Sequence, residues 1–196
     1  MKLLIATHNR GKLVEYQHMF GNLPLELVTL NDVGIHKDVE ETGTTFAENA
    51  RLKATTYAQQ SGLLTLADDS GLEVDALGGE PGVYSKRYAG EGKSDAERVV
   101  FLLDKLRDVP QGKRSARFRC AIAIASPDGK LHETDGTCEG EIIFAPRGSN
   151  GFGYDPIFFF PPRDMTMAQL SPEEKNRVSH RAQASVHAKT ILEKMI

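Results

Sequence analysis

The stretch LLTLADDSG, residues 63–71, decides how this chain is read. Leu63 to Ala67 is a short apolar run of strand length, and it passes directly into Asp68-Asp69-Ser70-Gly71. Carboxylates that follow a buried strand fall at the edge where open α/β sheets place their ligands. Two adjacent acidic side chains in such a place cost free energy unless a cation compensates them.

Toward the N-terminus, Lys2 to Ala6 predicts a further strand, and Thr7-His8-Asn9-Arg10-Gly11-Lys12 a polar turn. A helix follows, with Leu13, Tyr16 and Phe20 on one face. The turn sets backbone N–H groups and a lysine at a helix N-terminus, which is a ready anion site. It lacks the spacing of a Walker A loop, and a plain capping turn with a solvated lysine accounts for the same residues equally well. Leu25 to Thr29 reads as a strand, and Asn31 to Gly43 as an acidic loop that ends near Glu40-Glu41. Thr45-x-x-Glu48 is a capping box, opening a helix whose apolar stripe is Phe46, Ala50, Ala54, Tyr57 and Ala58.

Toward the C-terminus, Gly78 to Lys93 is glycine-rich and irregular. Ser94-x-x-Glu97 caps a helix carrying Val99, Leu102, Leu103 and Leu106. Alternation from Ala116 to Ile124, the turn Pro127-Asp128-Gly129 and a return from Lys130 predict an antiparallel hairpin. Gly148 to Pro156 is a second glycine-rich loop, and Ile157 to Phe160 a buried strand. Ser171-Pro172-Glu173-Glu174 starts a short helix, and an amphipathic helix follows His180. Parallel-type and hairpin connections together point to an α/β fold with a mixed sheet. A chain of 196 residues supports one substantial domain, arranged in two lobes around a cleft.

Lys and Arg number 24 against 27 Asp and Glu, a net charge of −3, so no basic excess marks a nucleic-acid binder. An anionic partner must therefore be met by a local cluster of cations. Cys120 and Cys138 have no CxxC spacing, and Cys120 falls in an apolar strand pattern as a buried thiol. No apolar run approaches a membrane span or a signal-peptide core, and a cytoplasmic setting is expected.

The chemistry-bearing residues converge on one class of substrate. Hard oxygen donors from Glu40-Glu41 and Asp68-Asp69, with no His or Cys beside them, favour Mg²⁺ or Mn²⁺ over zinc. Asn150-Gly151-Phe152-Gly153-Tyr154-Asp155-Pro156 offers aromatic faces for stacking and a carboxylate for the N–H groups of a base edge. Lys175 and Ser179-His180-Arg181 form a cluster of donors. Taken singly, each of these reads as an acidic turn, a core-covering aromatic or a solvated helix end. Nothing matches a Ser/His/Asp nucleophile motif or GxGxxG, whereas triphosphate chemistry needs a metal, cations and a base pocket.

With these residues in hand, the chain resembles the house-cleaning inosine/xanthosine triphosphate pyrophosphatases from end to end. The resemblance rests on TxNxxK at Thr7, Asn9 and Lys12, EETGxTFxENAxxKA over 40–54, and ADDSGLxVDxLGGxPGVYSxRYxG over 67–90. GFGYDPIFF over 151–159 and EEKNxxSHRxxA over 173–184 complete it. It implies an elongated mixed sheet with flanking helices, two lobes around a nucleotide cleft, and a homodimer. The implied reaction converts ITP, dITP or XTP and water to the monophosphate and pyrophosphate with Mg²⁺, for which Mn²⁺ can substitute. It also implies residue roles. The turn Thr7, His8, Asn9, Arg10, Gly11 and Lys12, with Lys53, binds the triphosphate. Glu41 and Asp69 hold the metal with Asp68 and Glu40 in support, and Asp69 is the base. Ser70, Phe152, Gly153, Tyr154, Asp155, Lys175, His180 and Arg181 contact the nucleotide.

On this resemblance Phe152 stacks, while Arg181 and Asp155 read the base edge, Arg181 rewarding the 6-oxygen that adenine lacks. His8 and Asn150 stand where the family often has glycine, and His8 either crowds the phosphate turn or adds a donor to it. The Gly-Phe-Gly-Tyr-Asp loop and the Ser-His-Arg cluster argue against the related Maf-type pyrophosphatases. Both acidic pairs argue against a sensor without catalysis, which needs no water-activating base.

Overall fold

A computed structural model describes residues 1–196. Its strands are β1 (Lys2–Ile5), β2 (Glu26–Thr29), β3 (Leu64–Val74), β4 (Ser115–Ala125), β5 (Leu131–Ile142), β6 (Phe158–Phe160) and β7 (Met165–Thr166). The helices are α1 (Arg10–Phe20), α2 (Phe46–Ser61), α3 (Asp95–Lys105), α4 (Pro172–Val178) and α5 (His180–Glu193). The sheet runs in the order β2-β1-β3-β4-β5-β6-β7. It is mixed, as the connections predict: β1 pairs in parallel with β2 and β3, and β6 pairs antiparallel with β5 and β7. No helix is long and apolar enough to cross a membrane.

The helix starts follow from local chemistry. Thr45, Ser94 and Ser171 each accept a backbone N–H three residues on, and Glu48, Glu97 and Glu174 reach back to complete the capping box. Asn9 caps α1, its Oδ1 accepting the Lys12 N–H at 3.2 Å, and Thr7 Oγ1 accepts the Asn9 N–H at 3.2 Å. Such caps contribute on the order of 1 kcal/mol each.

The chain folds as two compact units. The first comprises Met1–Asp69, Cys120–Gly136 and His180–Ile196. In its core Tyr16 and Phe20 of α1 and Ala184, Ala188 and Leu192 of α5 meet Leu3, Ile5, Leu64, Leu66, Ile122 and Ile124. The second comprises Ser70–Arg119 and Thr137–Ser179. There Val99 and Leu102 of α3 pack with Phe118, Ile157, Met167 and Leu170, and the Phe118 and Phe158 rings lie 4.4 Å apart.

Two elements depart from the sequence expectation. β3 does not stop at Ala67; it carries Asp68, Asp69 and Ser70 inside an 11-residue strand. The expected strand end belongs to the neighbour instead. The β1–β3 register closes at Ile5↔Leu66, and the Ala6 N–H to Leu66 O bond is the last across that edge. The aspartates therefore emerge where β3 outruns β1. The other departure is β7, two residues for which no strand was expected, recruited by pairing Phe159↔Thr166 and Phe160↔Met165.

In the first unit β5 comes so close to α5 that only glycine fits at position 136. A Cβ there would strike the His180 carbonyl oxygen and the Ala184 amide nitrogen. Nearby, Thr134 Oγ1 donates to the Ala184 carbonyl at 2.9 Å. Because both obstacles are backbone, Gly136→Ala is expected to destabilise the protein by about 1–3 kcal/mol, seen as a lower urea midpoint at unchanged slope.

Candidate active site

In the first unit the site is built on the pleat of β3. Successive side chains of a strand point to opposite faces, and Asp68 and Asp69 have separate sets of partners. Asp68 turns to the face of α1 and α5. Its Oδ2 takes Lys12 Nζ at 2.9 Å and Arg181 Nη2 at 3.2 Å. Asp69 turns to α2, where Asn49 Nδ2 donates to its Oδ2 at 3.1 Å and Lys53 Nζ lies 3.3 Å from its Oδ1. Asn49 and Lys53 stand four residues apart on α2 and so share a face. Lys53 Nζ also reaches Glu41 Oε1 at 2.7 Å, and Asn49 Oδ1 accepts the Gly43 N–H at 2.8 Å. The Glu41 loop and Asp69 are thus held by the same two side chains.

The environments drive the aspartates in opposite directions. Burial by itself would raise the Asp68 carboxyl, but Lys12 and Arg181 outweigh it and hold that group far below the usual carboxylate range. Burial pushes the Asp69 carboxyl up, Lys53 opposing and Glu41 adding to the rise. Lys53 stays charged: burial disfavours its ammonium, yet Asp69 and Glu41 raise its pKa.

Several expected roles change in the structure. Arg181 is not an open donor at a helix start; it is 1% exposed, and its Nη1 donates to Glu15 Oε2 at 2.5 Å while Nη2 donates to Asp68. His180 is buried beside it. Glu15, which sequence reasoning missed, is a buried carboxylate on α1 next to Tyr16. A charge flanking the apolar stripe of a helix was the available signal. His8 turns from the phosphate turn toward Asp38, with Nε2 3.7 Å from Oδ1, and Asn150 Nδ2 donates to the Leu170 carbonyl at 2.9 Å. Arg10 and Gly11 open α1. Glu40 is exposed, whereas its neighbour Glu41 accepts from Lys53.

In the second unit Ser70 follows Asp69 along β3, and the glycine loop is fixed from within. Asp155 Oδ2 accepts the Phe152 N–H at 2.9 Å and Lys175 Nζ at 2.5 Å, so this carboxylate braces the loop from within. It lies where a Cβ on Gly151 would sit, and Gly151 has φ 75°, so glycine is required there on both counts. The Lys175 ammonium stands 4.5 Å from the centre of the Phe152 ring, a cation–π contact. Tyr154 points inward, its hydroxyl donating to the Ser85 carbonyl at 2.9 Å. Gly153 donates its N–H to Asp95 Oδ2 at 2.6 Å; Asp95 belongs to none of the sequence motifs.

Two outcomes follow from the buried charges of the first unit. Arg181→Met leaves Asp68 and Glu15 without their shared cation, and a loss of about 3–5 kcal/mol is expected in urea unfolding. Because the folded Asp68 pKa is depressed, its stabilising contribution is complete above the unfolded value of about 4 and is lost as pH falls below it. The wild-type urea midpoint should therefore drop between pH 5 and pH 3 more steeply than that of Asp68→Asn.

Comparison with known proteins agrees with this arrangement. Residues 3–191 match the model of the Ham1 family. A dITP/XTP pyrophosphatase of Geobacillus kaustophilus is 51% identical over 93% of this chain and 90% of its own length. The structure of a HAM1 protein from Coxiella burnetii superposes with a TM-score of 0.90 at 43% identity, covering 99% of both chains. The Staphylococcus aureus Ham1 protein gives a TM-score of 0.88 at 44% identity over 100% of both. A family match over nearly the whole length, with a relative 51% identical over 93% of the chain, means that this chain belongs to the Ham1 family.

Proposed function

We propose that this chain hydrolyses deaminated purine nucleoside triphosphates, ITP, dITP and XTP, to the monophosphate and pyrophosphate. The observation that carries the reading is the pair of neighbouring aspartates driven apart in proton affinity, with a lysine on each. Environments that separate two carboxylates in this way assign an acid–base role to one of them. The dITP/XTP pyrophosphatase names of relatives near 50% identity support the same class of substrate.

The donor set fits Mg²⁺. Glu41 and Asp69 converge on the Lys53 ammonium, so a positive charge already marks the seat between them. No group of three His, Cys, Asp or Glu side chains converges in the structure. The protein would thus hold the ion through the carboxylates of Glu41 and Asp69, hard oxygen donors of the kind that suit Mg²⁺. When bound, the ion neutralises charge on the phosphate oxygens, and Mn²⁺ serves as a substitute.

The chain's own residues do the rest. Asp69, raised in pKa and facing Lys53 and Glu41, takes the proton of the attacking water. Asp68 is the poorer acceptor, because Lys12 and Arg181 lower its affinity for a proton; it anchors Lys12. Lys12 and Lys53 present ammonium groups to the triphosphate, and charge that develops on the leaving pyrophosphate is met by cations already in place. Phe152 stacks on the base, and Lys175 beside that ring is the donor for the 6-oxygen. A homodimer and a cytoplasmic location belong to the same reading.

A panel of ITP, XTP, dUTP and ATP with Mg²⁺ tests it. Pyrophosphate is expected as the first product from ITP and XTP, with loss of turnover in EDTA and recovery on adding Mg²⁺. Orthophosphate as the first product would sink the reading. Asp69→Asn should fold normally and lose about 10²-fold in kcat, the scale of a missing general base.

A further inference from the structure

Phe152 lies between two glycines in left-handed conformations, Gly151 at φ 75° and Gly153 at φ 62°. Such a segment has little intrinsic order, and two carboxylates supply it. Asp155 Oδ2 accepts the Phe152 N–H at 2.9 Å, and Asp95 Oδ2 accepts the Gly153 N–H at 2.6 Å. These amides flank the Phe152 Cα on both sides, so holding both fixes the φ and ψ of Phe152 and the direction of its Cα–Cβ bond. Lys175 then meets the ring itself.

Asp155 and Lys175 belong to segments that carry the family resemblance; Asp95 does not. It is the first residue of α3, one past the capping Ser94. Arg98, one turn on, pairs with its Oδ1, and the same guanidinium donates to the Lys93 carbonyl, so the carboxylate is aimed before the loop reaches it. A hydrogen bond to an ionised acceptor is about twice as strong as a neutral one.

We infer that Asp95 is a positioning residue for nucleotide binding: through the Gly153 amide it sets the orientation in which Phe152 meets the base. The inference rests on the reading of Phe152 as the stacking residue. Asp95 touches no reacting atom, so its loss weakens binding and leaves the chemical step alone.

Steady-state kinetics with ITP on Asp95→Ala, Asp95→Asn, Phe152→Ala and the Asp95→Ala/Phe152→Ala double variant test it. Asp95→Ala is expected to raise KM about tenfold with kcat nearly unchanged, the scale of one lost hydrogen bond to a charged group. Asp95→Asn keeps an acceptor oxygen while losing the helix-terminal charge, and should restore KM. The double variant should be no worse than Phe152→Ala, because Asp95 acts through that ring. A normal KM in Asp95→Ala beside a raised KM in Phe152→Ala overturns the role of Asp95 alone; a normal KM in Phe152→Ala removes the stacking reading and this inference with it. Additive losses in the double variant, or Asp95→Asn as impaired as Asp95→Ala, also overturn it. Should Asp95→Ala fail to fold, amide exchange at Gly153 in the wild-type protein reads the same contact. Slow exchange supports it, and exchange as fast as in an open loop refutes it.

Discussion

Adjacent side chains of a β-strand must leave on opposite faces, and this constraint governs what the two aspartates of β3 can do. Were they on a helix or a flexible loop, both could turn to one cation and share one fate. On β3, Asp68 is delivered to Lys12 and to Arg181, which also holds Glu15, and Asp69 to Asn49 and to Lys53, which also holds Glu41. The difference in proton affinity follows from which helix covers each face. α1 and α5 bring two cations to one oxygen of Asp68, whereas α2 brings to Asp69 a lysine already shared with another carboxylate. A geometric rule of the backbone thus becomes a difference in environment, one carboxylate held low by two cations and its neighbour pushed up by burial.

The Asp68 face illustrates why buried charges come in closed sets. Taking a carboxylate or a guanidinium out of water costs several kcal/mol even after the protein relaxes. Arg181 recovers this from Asp68 and Glu15 together, and both raise its pKa well above the ordinary value despite full burial. Such a set is a weak source of net stability, since apolar residues of the same volume would serve as well. Its use is positional. With Arg181 and Lys12 meeting the same oxygen of Asp68, the lysine has a defined place at the first turn of α1.

The sequence made the local rules legible and hid the tertiary ones. All three capping boxes, at Thr45, Ser94 and Ser171, could be read because cap and partner lie three residues apart. The hairpin at 127–129 and the mixed sheet were legible for the same reason. The extension of β3 through Asp69 was not, because where a strand runs past its neighbour depends on the length of β1, 61 residues earlier in the chain by the Leu4↔Thr65 pairing. Arg181 was found by motif but misplaced by environment: nothing near it in sequence says that Glu15 waits for it on another helix. Asp155 was likewise found as a site residue, but nothing near it in sequence says that one of its oxygens holds the loop's own amide and Lys175. Asn49 and Asp95 escaped notice because a helix-borne amide and a first-turn acid have ordinary explanations in sequence.

The glycine loop raises the opposite problem from the buried cluster, since its cost is entropic. Fixing the backbone of one residue costs about 1–2 kcal/mol, more for glycine, so Gly151, Phe152 and Gly153 together cost on the order of 3–6 kcal/mol. Side-chain burial cannot repay this at the glycines, which have none. Hydrogen bonds from backbone amides to charged acceptors contribute about 1.5–3 kcal/mol each, so the bonds to Asp155 and Asp95 offset about 3–6 kcal/mol. With both carboxylates present the two sums are of the same size, and the Asp155 N–H to Phe152 carbonyl bond adds to the order of the turn. Glycine is needed at 151 because the Asp155 carboxylate fills the space of a side chain. Once that choice is made, the order it forfeits has to come from acceptors placed outside the loop's own backbone.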